Sequence, residues 1–157
     1  METSGGVAIR LIILATDLSA VSEAAADTAI RLAIEHGAAL IVLSVVDPKG
    51  LRMPGGHFLR RVDQERARAE AGAQAVVRRA RALGAQATFL VWEGEPAETI
   101  LSACESERAD VIVLGSHERG RLGRIVLGSI STRVSEEARC QVLVIPREPL
   151  ALHAGAG

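Results

Sequence analysis

Aromatic side chains make up 2% of the 157 residues: Trp92, Phe58 and Phe89, with no tyrosine. Stacking platforms for single-stranded nucleic acid are built from such rings, so that class of function is excluded. A base held by this chain would rest on aliphatic side chains and backbone. Lysine occurs only at Lys49, in a Pro-Lys-Gly turn, which excludes the phosphate-binding loop whose lysine follows its second glycine. The first strand-to-helix turn, Ala15-Thr16-Asp17-Leu18-Ser19, lacks glycine altogether, which excludes the dinucleotide fingerprint. The two cysteines, Cys104 and Cys140, lie far apart and form no CxxC pair. They cannot build a disulfide framework or a structural zinc site, and two buried thiols in a reducing compartment are expected. A formal net charge of -1 with 24% charged residues supplies no basic field for nucleic acid. No apolar run approaches the roughly 20 residues that span a bilayer, and METSGGVAIRLIIL shows neither a basic n-region nor a cleavage-like site. The expectation is a soluble, cytoplasmic protein without nucleic-acid or membrane partners.

Apolar residues, by contrast, are plentiful. At 48% hydrophobic the chain has material for one sizeable core, read as a single domain over residues 1–157 with its ordered part at about 7–147. Aliphatic runs at 7–15, 39–46, 86–92, 111–114 and 141–145 read as strands, the first buried on both faces and the second buried likewise. Between them, helical spacing of apolar residues predicts helices at about 20–35 (Ala26, Ala29, Ile30, Ala33, Ile34), 58–83 (Val62, Ala69, Ala73, Val76, Ala80, Leu83), from Pro96 onward (Ala97, Ile100, Leu101, Cys104), and at 129–138. Ser19 or Ser22 is the expected cap of the first helix. Residues 47–50 read as a turn and 51–57, with two adjacent glycines, as a mobile loop. Strands alternating with helices specify an α/β doubly wound sheet with right-handed crossovers.

The stretch that bears on function is VIVLGSHERGRLGRIVLGSIS, residues 111–131. A strand runs into a loop holding Gly115, Gly120 and Gly123, and Gly128-Ser129 opens a helix. Convergent backbone N–H groups and the positive end of a helix dipole suit phosphate, although glycine-rich turns serve mostly to reverse the chain. Ligands of doubly wound sheets bind beyond the carboxyl ends of the strands, where the strand order reverses. Were the first and fourth strands neighbours there, Asp17 and the loop after Leu114 would border one crevice. Ser129 and Ser131 then have two readings, phosphate donors or ordinary capping residues, and Asp17 likewise is a site residue or a turn residue. Val45 is either core or a wall for a base.

The segments IILATDLS, IVLSVVD, EGEPAETI, ADVIVLGSH and LGSISTRVSEEARCQVLVIP together resemble the universal stress protein family over nearly the whole chain. The resemblance implies a five-stranded parallel sheet in the order 3-2-1-4-5 with helices on both faces. It also implies a stress-response role and, for a subset with the pattern G-x2-G-x9-G-[ST], ATP binding. Gly115 and Gly128-Ser129 match that pattern, whereas Glu118 stands at its second glycine. Were a left-handed backbone needed there, a non-glycine residue would cost roughly 1–2 kcal/mol. A carboxylate about 4 Å from a phosphate would oppose binding by about 4 kcal/mol at an effective dielectric of 20. The resemblance implies Ala15, Thr16, Asp17 and Val45 on the adenine and ribose side, Leu114, Gly115 and Ser116 where the backbone approaches the ligand, and Gly128, Ser129, Ile130 and Ser131 on the phosphates, with Mg2+ as the ion ATP can bring. It implies a homodimer through Val142, Leu143 and Val144 and no enzyme beyond slow ATP hydrolysis. The alternative is a dimeric interaction module that binds no nucleotide. His117 beside Glu118 is an acid–base candidate without a paired nucleophile. Arg119, Arg121 and Arg124 are charges for phosphate or solvent, and His36, His57 and His153 lack metal-ligand spacing.

Overall fold

A computed structural model describes residues 6–19, 22–116 and 128–146, together with the backbone of 118–119 and 125–126. The elements in order are β1 (Leu11–Ala15), α1 (Glu23–His36), β2 (Ala39–Val46), a 3-10 turn (Pro48–Leu51), α2 (Phe58–Ala82), β3 (Gln86–Glu93), α3 (Pro96–Glu107), β4 (Val111–Gly115), α4 (Ser129–Glu137) and β5 (Gln141–Ile145). Between β4 and α4, Glu118–Arg119 and Ile125–Val126 pair antiparallel. The five labelled strands form one parallel sheet in the order β3-β2-β1-β4-β5, as the resemblance implies.

Successive strand residues point to opposite faces, and both faces of this sheet are apolar, so each is covered by two helices. Ile12 and Leu14 of β1, Leu40 and Val42 of β2, and Val111 and Val113 of β4 pack with Ala26, Ala29 and Ile30 of α1 and Ala73, Val77 and Ala80 of α2. Their alternates Ile13, Ala15, Ile41, Leu43, Ile112 and Leu114 pack with Ala97, Ile100 and Cys104 of α3 and Val134 of α4. Alanine dominates the helix stripes and lets the helices lie close on the sheet.

Several boundaries differ from the sequence expectation. The first strand begins at Leu11, not at residue 7, and Val7 is 86% exposed. The Asp110 carboxylate explains this start: its Oδ2 accepts from the amides of Arg10 at 2.8 Å and Leu11 at 3.0 Å. Those amides are thereby tied off before sheet pairing starts at Leu11↔Ala39. Helix α1 starts at Glu23. Its N-cap Ser22 makes no side-chain cap, because the hydroxyl donates instead to Asp17. Ile34 is 44% exposed at the edge of the stripe, and Ala25 is buried in addition to the expected residues. In α2 the buried residue is Val77, with Val76 at the flank, and Leu83 lies past the last helical residue, 61% exposed. Residues 47–50 are wound more tightly than a plain turn, Asp47 capping the 3-10 segment through the Lys49 amide at 3.0 Å.

Candidate functional site

Three neighbouring strand ends and the start of α4 enclose a hollow of about 130 Å3 on the α3/α4 side of the sheet. Its floor follows from the register. Leu43, Ala15 and Leu114 are directly adjacent across β2, β1 and β4, so the smallest side chain of the row stands between two leucines and leaves a dip. Val45, two residues beyond Leu43 on the same face, forms one wall, and Pro96 and Ile100 of α3 form another. Sequence reasoning missed Leu43, Pro96 and Ile100. The period of two back from Val45 would have identified Leu43, and the EGEPAETI segment would have identified the other two.

Thr16 and Asp17 form the rim at the end of β1. The Thr16 amide continues the sheet by donating to the Leu43 carbonyl at 3.0 Å. Its hydroxyl accepts from the Leu18 amide at 2.9 Å, within a turn that places Leu18 at φ 65. Asp17 Oδ1 accepts from the Ser19 amide at 3.0 Å, the Ser19 hydroxyl at 2.7 Å and the Ser22 hydroxyl at 2.6 Å. Asp17 is therefore a turn residue in the full sense, and the same turn holds it at the rim of the hollow.

The opposite rim is the start of α4. Gly128 is the N-cap, extended at φ -67 and ψ 168, and as glycine it supplies no side-chain cap. The first amides of a helix have no partner within it, so those of Ser129, Ile130 and Ser131 are left for another acceptor, with the positive end of the helix dipole behind them. Ile130 and Ser131 line the hollow. Ser131 is 2% exposed and its hydroxyl donates to the Gly115 carbonyl at 3.5 Å, joining α4 to the end of β4.

Eight of the eleven candidate residues thus surround one hollow: Ala15, Thr16, Asp17, Val45, Leu114, Gly115, Ile130 and Ser131. The other three border it without lining it. Ser116 is buried, its amide continuing the ladder to the Ile145 carbonyl at 3.0 Å. Gly128 is buried as the cap, and Ser129 is exposed on the first turn. The backbone of Glu118 pairs antiparallel with that of Val126. The Glu118 and Arg119 side chains, and His117, Gly120, Arg121, Gly123, Arg124 and His153 entirely, lie outside the described residues. Among the described residues no three of His, Cys, Asp or Glu are grouped to hold a metal ion, and no helix is long and apolar enough to cross a membrane.

The wall contributed by α3 is held by Glu95. Its carboxylate caps the helix, accepting from the amides of Ala97 at 3.2 Å and Glu98 at 2.8 Å, and pairs with Arg133 of α4 at 2.8 Å. The Glu98 amide foremost, with Ala97 and Arg133, holds the Glu95 carboxyl below the usual carboxylate range against a smaller opposing effect of burial.

Residues 8–146 match the model of the universal stress protein family. The chain belongs to the universal stress protein family. It is 38% identical over 141 residues to a universal stress protein of Thermus aquaticus, covering 87% of this chain and 98% of the relative. It is 34% identical over 146 residues to one of Methanocaldococcus jannaschii, covering 88% of this chain and 82% of the relative. Among solved structures, UspA from Lactobacillus plantarum superposes with a TM-score of 0.78 at 26% identity, covering 89% of this chain and 99% of that one. Two more distant universal stress proteins share the fold and were solved with ligands. One is in complex with cAMP (TM-score 0.60, 21% identity, 89% and 98% covered). The other, from Archaeoglobus fulgidus, is in complex with dAMP (TM-score 0.67, 23% identity, 88% and 98% covered).

Proposed function

We propose that this universal stress protein binds an adenine nucleotide, ATP in the first place, in the hollow between β1, β2, β4 and α4, and acts in the stress response through its conformation or dimer state. The observation that carries the reading is the pairing of an apolar dip with an uncapped helix start on its rim. The hollow is smaller than the roughly 300–1,000 Å3 typical of pockets that swallow a whole ligand. It suits a planar base on the Leu43, Ala15 and Leu114 floor, with Val45 beside the ring and Asp17 towards the ribose. The phosphates then lie outside it, on the amides and hydroxyls of Ser129, Ile130 and Ser131, with Gly115 and Gly128 allowing close approach of the backbone. With no carboxylate or histidine cluster among the described residues, a Mg2+ brought by ATP would take its oxygens from phosphate and water. No catalytic group is assigned, and hydrolysis is at most slow. The complexes of relatives with cAMP and dAMP support adenine as the base.

Calorimetry with ATP on the wild type and on Glu118→Gly tests the reading, together with an assay for nucleotide released on denaturing the purified protein. Binding by the wild type is the expected result, and the substitution tightens it if the carboxylate faces a phosphate. Absence of binding by the wild type would overturn the proposal. The second reading, a dimeric interaction module without nucleotide, is favoured by one observation: among the described residues β5 pairs only with β4 and is an edge of the sheet. Wild-type protein that binds nothing yet remains dimeric would establish it.

A further inference from the structure

The fold brings together the two cysteines that the sequence keeps 36 positions apart. Cys104 lies on the buried stripe of α3, 5% exposed, and Cys140 is half-buried in the short connection between α4 and β5. Both are free thiols, and their Sγ atoms are 2.8 Å apart. Sulfurs this close lie nearer than two unbonded sulfurs ordinarily rest. The sequence-based expectation of two buried thiols holds for Cys104 and is corrected for Cys140, which is partly open.

We propose that Cys104 and Cys140 form a thiol–disulfide modification site, oxidised by a peroxide to an intramolecular bond that joins α3 to the start of β5. The two sulfurs have different roles, set by their surroundings. Cys140 is the more open and meets the peroxide first. Its thiolate attacks the O–O bond, an S–O bond forms, and the leaving oxygen departs as water or an alcohol after taking a proton from solvent, which leaves a sulfenic acid. The Cys104 sulfur then attacks the Cys140 sulfur. The S–S bond forms, the S–O bond breaks, and the departing hydroxide takes the Cys104 proton as water. Two thiols have lost two electrons and the peroxide has gained them. Burial, followed by the contact with Cys140, pushes the Cys104 thiol up to about 12, so Cys104 stays protonated and Cys140 is the sulfur that meets the peroxide first.

The pair stands at the amino ends of the strands, beside Ala109 and Asp110, with the Cys104 thiol 4.0 Å from the Ala109 carbonyl. The hollow lies at the carboxyl ends, so the bond forms whether or not a nucleotide is bound. The full reduced chain, treated with hydrogen peroxide, unfolded, alkylated with N-ethylmaleimide and weighed, tests the proposal. The expected product takes no label, is lighter than the reduced protein by two hydrogens, yields one peptide joining Cys104 to Cys140, and takes two labels after dithiothreitol. Cys104→Ala should stop at a Cys140 sulfenic acid that dimedone captures, and Cys140→Ser, a change in a surface connection, should abolish the cross-link and leave Cys104 open to label. A wild-type product in which Cys104 still takes label while Cys140 carries added oxygen would overturn the proposal, as would a disulfide that joins two chains.

Discussion

Ala15 makes the hollow. Every other residue of the row Leu43, Ala15, Leu114 and Val144 is larger, and a leucine at that position would fill the dip with a side chain of the kind already on either side. Ala15→Leu is therefore expected to weaken ATP binding at least tenfold, which corresponds to about 1.4 kcal/mol. The fold should tolerate it, since the added methyl groups enter open space and not a filled core. Calorimetry with ATP beside a thermal melt checks this, and a variant that binds like the wild type would show that the base does not lie on this floor. Asp17 illustrates a different point about single residues. The two readings left open for it do not compete, because three hydrogen bonds to Oδ1 build the turn that sets the residue on the rim.

Helix α3 owes its start to Glu95, which satisfies two first-turn amides and reaches across to Arg133 of α4. Loss of a capping side chain costs about 1 kcal/mol, so Glu95→Ala should lower the urea midpoint by that measure and loosen the Pro96 and Ile100 wall. The pH dependence follows from the direction of the shift. The folded carboxyl ionises more readily than the unfolded one, so its contribution is complete above the unfolded value of about 4.3 and is lost as pH falls through the lower folded value. The stability gap between wild type and Glu95→Ala should therefore be full near about pH 6 and shrink towards about pH 3 and below. Urea titrations of both proteins across that range check it, and an undiminished gap in acid would mean that the carboxylate is not what caps the helix. Helix α4 presents the opposite case. Its glycine N-cap supplies no side-chain cap, and the first-turn amides, which no carbonyl within the helix meets, are what the nucleotide proposal uses.

Considered as a whole, the molecule closes both faces of its sheet with helices and leaves β5 as an edge. Val142 and Val144 turn inward towards α3 and α4, whereas Leu143 is 38% exposed on the other face. A short apolar edge with unpaired backbone groups invites a second strand, and we propose that Val142, Leu143 and Val144 pair with their counterparts in a homodimer. Leu143→Lys, which places a charge on that edge, should turn a dimer into a monomer in light scattering while the circular dichroism of the chain is unchanged. A wild type that is monomeric at high concentration would refute the pairing. This edge follows directly after Cys140, so the proposed disulfide would join α3 to the residue just before it.

The local pattern carried most of the fold. Runs of aliphatic residues at 39–46 and 141–145 coincide with β2 and β5, because strands of a helix-covered parallel sheet are built mainly from apolar side chains, and helix stripes at 3.6-residue spacing are equally local. Element ends were less legible where a distant group decides them, as Asp110 does for the start of β1. The site was legible in part. Glycines 115 and 128 and the serines of α4 were visible as a motif, and the switch-point argument placed Asp17 at the same crevice, as the family resemblance also implied. The depth of the hollow was not visible, since it depends on which residues of β2, β1 and β4 fall side by side, and register is a property of the assembled sheet. The meeting of Cys104 with Cys140 is of the same kind: two residues on separate elements approach only once α3 and α4 are packed on one face, and no spacing along the chain encodes that distance.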